Sequence, residues 1–174
     1  MGNRGDVPDG DPLMQHELWP AGQRHWRVIT DTVMGGVSQG TLQLVEIEGR
    51  MAARMRGAVS TENNGGFIQI TMDLSADGGA FDAGDFRGIA AELLGNGESY
   101  SLHLRTADLT RPQQSYRHPF RAPTRWQVIQ FPFADFTPHR TEVPFDPRRL
   151  RRVGLVAIGR EFDADLSVAR LWLY

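Results

Sequence analysis

Two short segments concentrate side chains able to do chemistry. In the first, residues 31–38 (DTVMGGVS), a carboxylate stands just ahead of a glycine pair and a hydroxyl follows it. In the second, residues 60–67 (STENNGGF), two amides precede another glycine pair. Asp31 can accept backbone N–H bonds and fix its own loop. Met34 offers a soft apolar contact, to the core or to a partner. Asn63 and Asn64 can bond their own turn or present amides to a ligand, and Gly65 with Gly66 lets the backbone approach a neighbour closely, the first loop included. Ser38 lacks the surroundings of a hydrolase nucleophile: Gly-x-Ser-x-Gly is absent and no strand-to-helix elbow is expected.

A third group emerges from alternation. Residues 100–106 (YSLHLRT) turn Tyr100, Leu102 and Leu104 to one side and Ser101, His103 and Arg105 to the other. Residues 67–74 likewise separate Ile68, Ile70 and Met72 from Phe67, Gln69 and Thr71. One outward sheet face is therefore expected to carry Phe67, Gln69, His103 and Arg105, joined by Tyr116 and His118. Rings beside hydrogen-bonding groups could hold a sugar or a peptide. A cover formed by the loop 106–114, or plain solvation, is the competing reading. Arg105 is costly to bury without an anion, so a pair with Asp31 or Glu62, or with a ligand, is expected.

Several chemistries find no support. Neither glycine pair opens a helix, and the GxGxxG and GxxxxGK spacings of phosphate cradles are missing, so the glycines read as turns or bulges. The five histidines form no HxH or HExxH pair. With no cysteine, thiolate catalysis, disulfides and cysteine-bound metals are excluded. Asp163 and Asp165 could join a structural calcium site, but read first as a solvated turn. No pair of carboxylates can be placed across a cleft for glycoside hydrolysis. No catalytic residue, metal ligand or cofactor is assigned.

Composition is that of a folded globular domain. The 174 residues suit one domain with a sizeable core, and 40% hydrophobic with 23% charged residues is ordinary for a globular chain. A net charge of −2 gives no pull toward nucleic acid or anionic membrane. All 19 basic residues are arginine, a GC-rich, bacterial signature, and each is a planar fork suited to carboxylates and phosphates. Four of these forks fall in Arg148-Arg149-Leu150-Arg151-Arg152, either a solvated strand start or a contact for an acidic surface or lipid headgroups. No signal peptide and no run of roughly 20 apolar residues is present, so a cytoplasmic location is expected. Position 6 is Asp where a myristoylation motif needs Ser or Thr, and Arg4-Gly5-Asp6 reads as chance in a polar tail.

The elements that must position these groups are strands. Residues 41–47, 51–59, 67–74, 86–94, 100–105, 115–120, 126–131, 153–158 and 166–174 carry β-type patterns, separated by turn chemistry at Glu48-Gly49 and Gly95-Asn96-Gly97. Asp146-Pro147 is the one helix-start signal and opens at most a short turn. The expected organisation is a flexible tail at 1–12 followed by one all-β domain, a sandwich or barrel, over 13–174.

The two loops, in this order and with the strand Tyr100–Thr106, resemble the complex I intermediate-associated protein 30 family. Tyr116 through Phe120 with Trp126, then Phe131-Pro132-Phe133 with Phe136, and Gly154-Leu155 through Gly159 with Phe162 are similar to its later segments. The resemblance spans roughly residues 19–174. It implies a galactose-binding-domain-like jelly-roll β-sandwich and a non-enzymatic assembly factor for NADH:ubiquinone oxidoreductase. Implied partners are membrane-arm complex I subunits or intermediates, met without direct membrane insertion at the periphery of the inner membrane. The chain shows neither a mitochondrial transit segment nor a fused reductase domain, so a compact bacterial copy is expected, with the assembly role or a different partner. A carbohydrate- or small-ligand-binding module using the open face is the alternative. On this basis Asp31, Met34, Ser38, Asn63, Asn64, Phe67, His103, Arg105 and Tyr116 are the candidate binding residues.

Overall fold

A computed structural model describes residues 15–22 and 24–174. Twelve strands run in chain order: β1 (His16–Trp19), β2 (Arg27–Thr30), β3 (Gln39–Ile47), β4 (Arg50–Val59), β5 (Phe67–Asp73), β6 (Gly88–Gly95), β7 (Ser99–Thr106), β8 (Ser115–Arg121), β9 (Gln127–Pro132), β10 (Thr137–His139), β11 (Leu150–Ile158) and β12 (Phe162–Leu173). Every pairing is antiparallel. The back sheet has the order β3-β4-β12-β6-β9, with β1 beside the C-terminal half of β12. The front sheet has the order β10-β8-β7-β11-β5-β2.

Alternation builds the core between them, because a strand that faces a second sheet buries every other side chain. The front sheet turns in Ile68, Ile70, Met72, Leu102, Leu104, Val153 and Leu155, and the back sheet answers with Ala53, Met55, Ile89, Leu93, Leu166 and Val168, all 0% exposed. Burying each large apolar side chain is worth ~1.5–3 kcal/mol, the main term holding the sheets together. Turn chemistry follows the expected positions. Glu48 and Gly49 take φ 46° and 83°, the two left-handed residues of a tight hairpin between β3 and β4. Asp146 caps a single 3-10 turn at Pro147–Arg149, its carboxylate accepting the Arg148 N–H at 3.0 Å.

The last strand begins at Phe162, four residues earlier than the apolar pattern suggests. Asp163 and Asp165 are therefore strand residues opposite Ala58 and Arg56, not a turn. The expected tail at 1–12, with its Arg4-Gly5-Asp6 motif, lies outside the described residues.

Candidate functional site

Asp31 sits where β2 ends and a one-turn 3-10 segment, Asp31–Met34, begins. The residue is 0% exposed, and its carboxylate accepts four hydrogen bonds. Oδ1 takes the Ser38 N–H at 2.9 Å; Oδ2 takes the Ser38 hydroxyl and the Gly66 N–H at 2.5 Å each, and the Phe67 N–H at 3.2 Å. Burial pushes the Asp31 pKa up, but the bonds from Ser38, Gly66 and Phe67 outweigh it and leave the group below its ordinary value. One charge thus ties the loop after β2 to the loop before β5. Ser38 Oγ extends the network by accepting the Ser60 N–H at 2.8 Å.

The glycines follow from this carboxylate. A Cβ on Gly36 would stand 2.5 Å from Asp31 Cγ, and one on Gly65 2.6 Å from Asp31 Oδ2 and 3.0 Å from Gly36 Cα. Both must lack a side chain for the loops to close on the charge. Asn63 and Asn64 take the left-handed φ of 57° and 58°, and the Asn63 amide donates to the Gly35 carbonyl at 3.3 Å. The backbone of residues 31–38 is thereby anchored from below while its apolar side chains face out: Val33 is 73% exposed, Met34 63% and Val37 41%.

The register of the front sheet lays out its outer face in rows. Nearest the two loops stand Phe67 and Ile158, then Ile29, Gln69, Val156, Ser101 and Pro119. The next row holds Arg27, Thr71, Gly154, His103 and Arg117, and the last Asp73, Arg152 and Arg105. Thr71 and Val156 lie on this outward side yet are 1% and 2% exposed, so small residues floor a trough roofed by longer neighbours. The Gln69 amide lies across Gly154, where a Cβ would meet Oε1 at 3.0 Å.

Phe67, His103 and Arg105 are on this face, but Tyr116 and His118 are not. Tyr116 is the strand partner of Leu104 and His118 of Leu102, so both turn inward with them. Tyr116 is 0% exposed and its hydroxyl donates to the Val143 carbonyl at 2.8 Å, while the His118 ring packs edge-on against Phe131 at 5.0 Å. The strand Ser115–Arg121 starts one residue out of phase with that reading. Arg105 also departs from expectation. Its Nη1 donates to the carbonyls of Arg111, Pro112 and Gln114, and six residues of strand, about 20 Å, separate its row from that of Phe67 beside Asp31. His103 is driven down to about 3 by burial, then by Arg117 and His139, and stands neutral with Nε2 unbonded among the described residues.

Other candidates are absorbed by the fold. The Ser38 hydroxyl faces a carboxylate and no histidine. Asp165 holds Arg54 in a two-pronged pair at 2.7 and 2.9 Å instead of a cation site. In the arginine run, Arg148 meets Asp146 at 3.1 Å, Arg149 meets Asp108 at 3.2 Å and Arg152 meets Asp73 at 2.8 Å, so internal pairs hold three of its four guanidiniums, while the buried Arg151 Nε has no hydrogen-bond partner among the described residues. Among the described residues no three His, Asp or Glu side chains gather to hold a metal, and no helix is long and apolar enough to cross a membrane. Sequence reasoning passed over Val33, Val37 and Arg117. A signal existed for the first two, apolar side chains in a glycine turn; Arg117 needed the β7–β8 register.

Comparison with known proteins adds three facts. The family described as Complex I intermediate-associated protein 30 matches residues 17–168. The fold is similar to the family 11 carbohydrate-binding module from Clostridium thermocellum, solved with a β-1,3-1,4-mixed-linked tetrasaccharide, at TM-score 0.71 and 10% identity over 91% of this chain and 93% of that one. It is also similar to the family 30 carbohydrate-binding module of a cellulosomal cellulase of the same organism, at TM-score 0.67 and 12% identity over 92% and 96%. At such identity these two likenesses concern the fold. No curated relative matches the chain.

Proposed function

This chain belongs to the complex I intermediate-associated protein 30 family, whose members are non-catalytic assembly factors for complex I, and from that premise we propose that it holds membrane-arm subunits or intermediates through the 31–38 loop. The observation that carries the reading is a hydrogen-bonded loop backbone with outward apolar side chains. Val33 and Met34 are more than half exposed on a segment whose ends are tied to a buried charge. Presenting apolar groups from a fixed loop lowers the ordering cost of binding, because little conformational freedom remains to be lost. Their cluster is the kind of surface that marks protein contacts. The partner, on this reading, brings the domain to the cytoplasmic side of the inner membrane.

The carbohydrate alternative has less support. The fold likeness does not fix function, and the outer face of the front sheet keeps Phe67 but loses the Tyr116 and His118 rings to the core. The test is capture from gently solubilised native cells with the chain and with Val33→Ser/Met34→Ser. Membrane-arm subunits enriched by the chain and at least about tenfold less by the folded double variant support the reading. Equal capture by both, or no such subunits on a folded, abundant bait, overturns it.

A further inference from the structure

On the back sheet, Arg54 is paired with Asp165, Arg50 with Glu92 at 2.8 Å and Arg170 with Glu17, while Arg56 meets the Gln43 amide oxygen at 3.0 Å. On the front sheet, Asp73 serves both Arg27 and Arg152, at 3.4 and 2.8 Å. Arg105 and Arg117 have no carboxylate among the described residues. Arg105 meets carbonyls, and Arg117 uses Nε on the Ser115 hydroxyl at 2.9 Å. Burial lowers the pKa of both guanidiniums, and neighbouring cations add to this, Arg152 and Arg151 at Arg105 and Arg140 at Arg117. Two half-buried guanidiniums without a carboxylate are an unmet charge, and each retains a fork suited to one.

The same face changes character along the strands. Its loop end is apolar, with Ile29, Phe67 and Ile158 half-buried around Val156, and its far end is cationic. Gln69 and Ser101 lie between and can bond a peptide backbone. A neutral glycan would leave the cations unanswered; a purely acidic chain would leave the apolar end bare. We infer that this face seats an extended segment of a partner protein in which apolar residues are followed by carboxylates, the former on Phe67 and Ile158 and the latter on Arg105 and Arg117. This deepens the protein-binding reading and rests on it. The exposed Val33 and Met34 adjoin the apolar end, so one partner can span both.

The probe is a fluorescein-labelled peptide of leucines followed by glutamates, with a control in which lysines replace the glutamates, read by anisotropy against the full chain. The glutamate peptide is expected to bind and the lysine peptide to bind at least about tenfold more weakly. Raising salt from 50 to 200 mM should weaken the glutamate complex severalfold, because the contact is charge-assisted. Arg117→Glu should cost about tenfold or more. It is the primary variant because its guanidinium does not hold the loop carbonyls that Arg105 does, and its melting point is measured alongside. Equal binding of both peptides, or no effect of Arg117→Glu in a folded variant, overturns the proposal. So does binding of a sulfated oligosaccharide where the glutamate peptide fails. If the peptide fails while membrane-arm subunits are still captured, only this surface falls; if the peptide binds and those subunits are not captured, the surface stands and the assembly partner is wrong.

Discussion

Replacing Asp31 with asparagine changes one atom and tests the joint between the two loops. The best placement keeps oxygen at the Oδ2 position, where it still accepts the Ser38 hydroxyl and the Gly66 and Phe67 N–H groups. The amide nitrogen must then face the Ser38 N–H, donor against donor, where the carboxylate accepted it at 2.9 Å. A buried donor without an acceptor costs about 1–3 kcal/mol, and the three retained bonds fall from charge-assisted to neutral strength. The smaller desolvation of a neutral amide offsets part of this. The net is about 3 kcal/mol, a fall in Tm of roughly 6–12 °C for a domain of this size, read by thermal unfolding at pH 7. The pH dependence has a definite sign. Because the folded Asp31 pKa lies below its unfolded value, its stabilisation is full above the ordinary carboxylate range and is lost as pH falls through the folded value. The gap between wild type and Asp31→Asn must therefore narrow in acid. A variant that melts within about 1 °C of wild type at pH 7, or a gap that widens in acid, refutes the clamp.

Gly36→Ala places a methyl 2.5 Å from Asp31 Cγ and should cost about 2–4 kcal/mol by urea unfolding, whereas Gly35→Ala, with φ 86° but open space, should cost only about 1. His103→Gln should leave neutral-pH stability within about 2 kcal/mol yet remove an acid-sensitive component. With the folded pKa near 3, His103 stabilises above its unfolded value near 6.5 and the effect drains away between the two, which unfolding curves from pH 7 to 3 will show. Tyr100, buried with its hydroxyl donating to Asn96 Oδ1 at 2.7 Å, is raised to about 12, so ultraviolet titration should find it still protonated at pH 11 and its stabilisation lost only from about 10 to about 12. Tyr100→Phe, which also frees the Asp165 N–H, should lower stability by about 1–2 kcal/mol.

How much of this could be read beforehand depended on pattern length. Strands of seven or more residues such as Phe67–Asp73 and Arg50–Val59 repeat their alternation often enough to be recognised, and they carry the core. His16–Trp19, Arg27–Thr30 and Thr137–His139 are edge or partial strands of three or four residues, too short for a period to show. Phe162–Asp165 was hidden because charges at Asp163 and Asp165 look like a turn until Arg54, the partner of Asp165, is placed. In the site, the carboxylate's role was legible from Asp31 ahead of Gly35-Gly36. That the Gly65-Gly66 backbone could approach this loop was legible too; that the Gly66 and Phe67 N–H groups, 35 and 36 residues on, are the donors was not, because only folding brings β5 beside β2. The error at Tyr116 has the same origin: period two tells which residues share a face, but not which face the strand Ser115–Arg121 turns inward.

The closeness of Gly36 and Gly65 to one carboxylate couples what can change at the three positions. While Asp31 is present, an alanine at either glycine collides with it, so each such change is harmful by itself. Losing the carboxylate relieves each collision only in part, because Asp31 Cβ would still lie 2.8 Å from a Cβ at position 36, and Gly36 Cα 3.0 Å from one at position 65. The acid and its two glycines are therefore locked together, and a lineage that keeps this joint keeps all three.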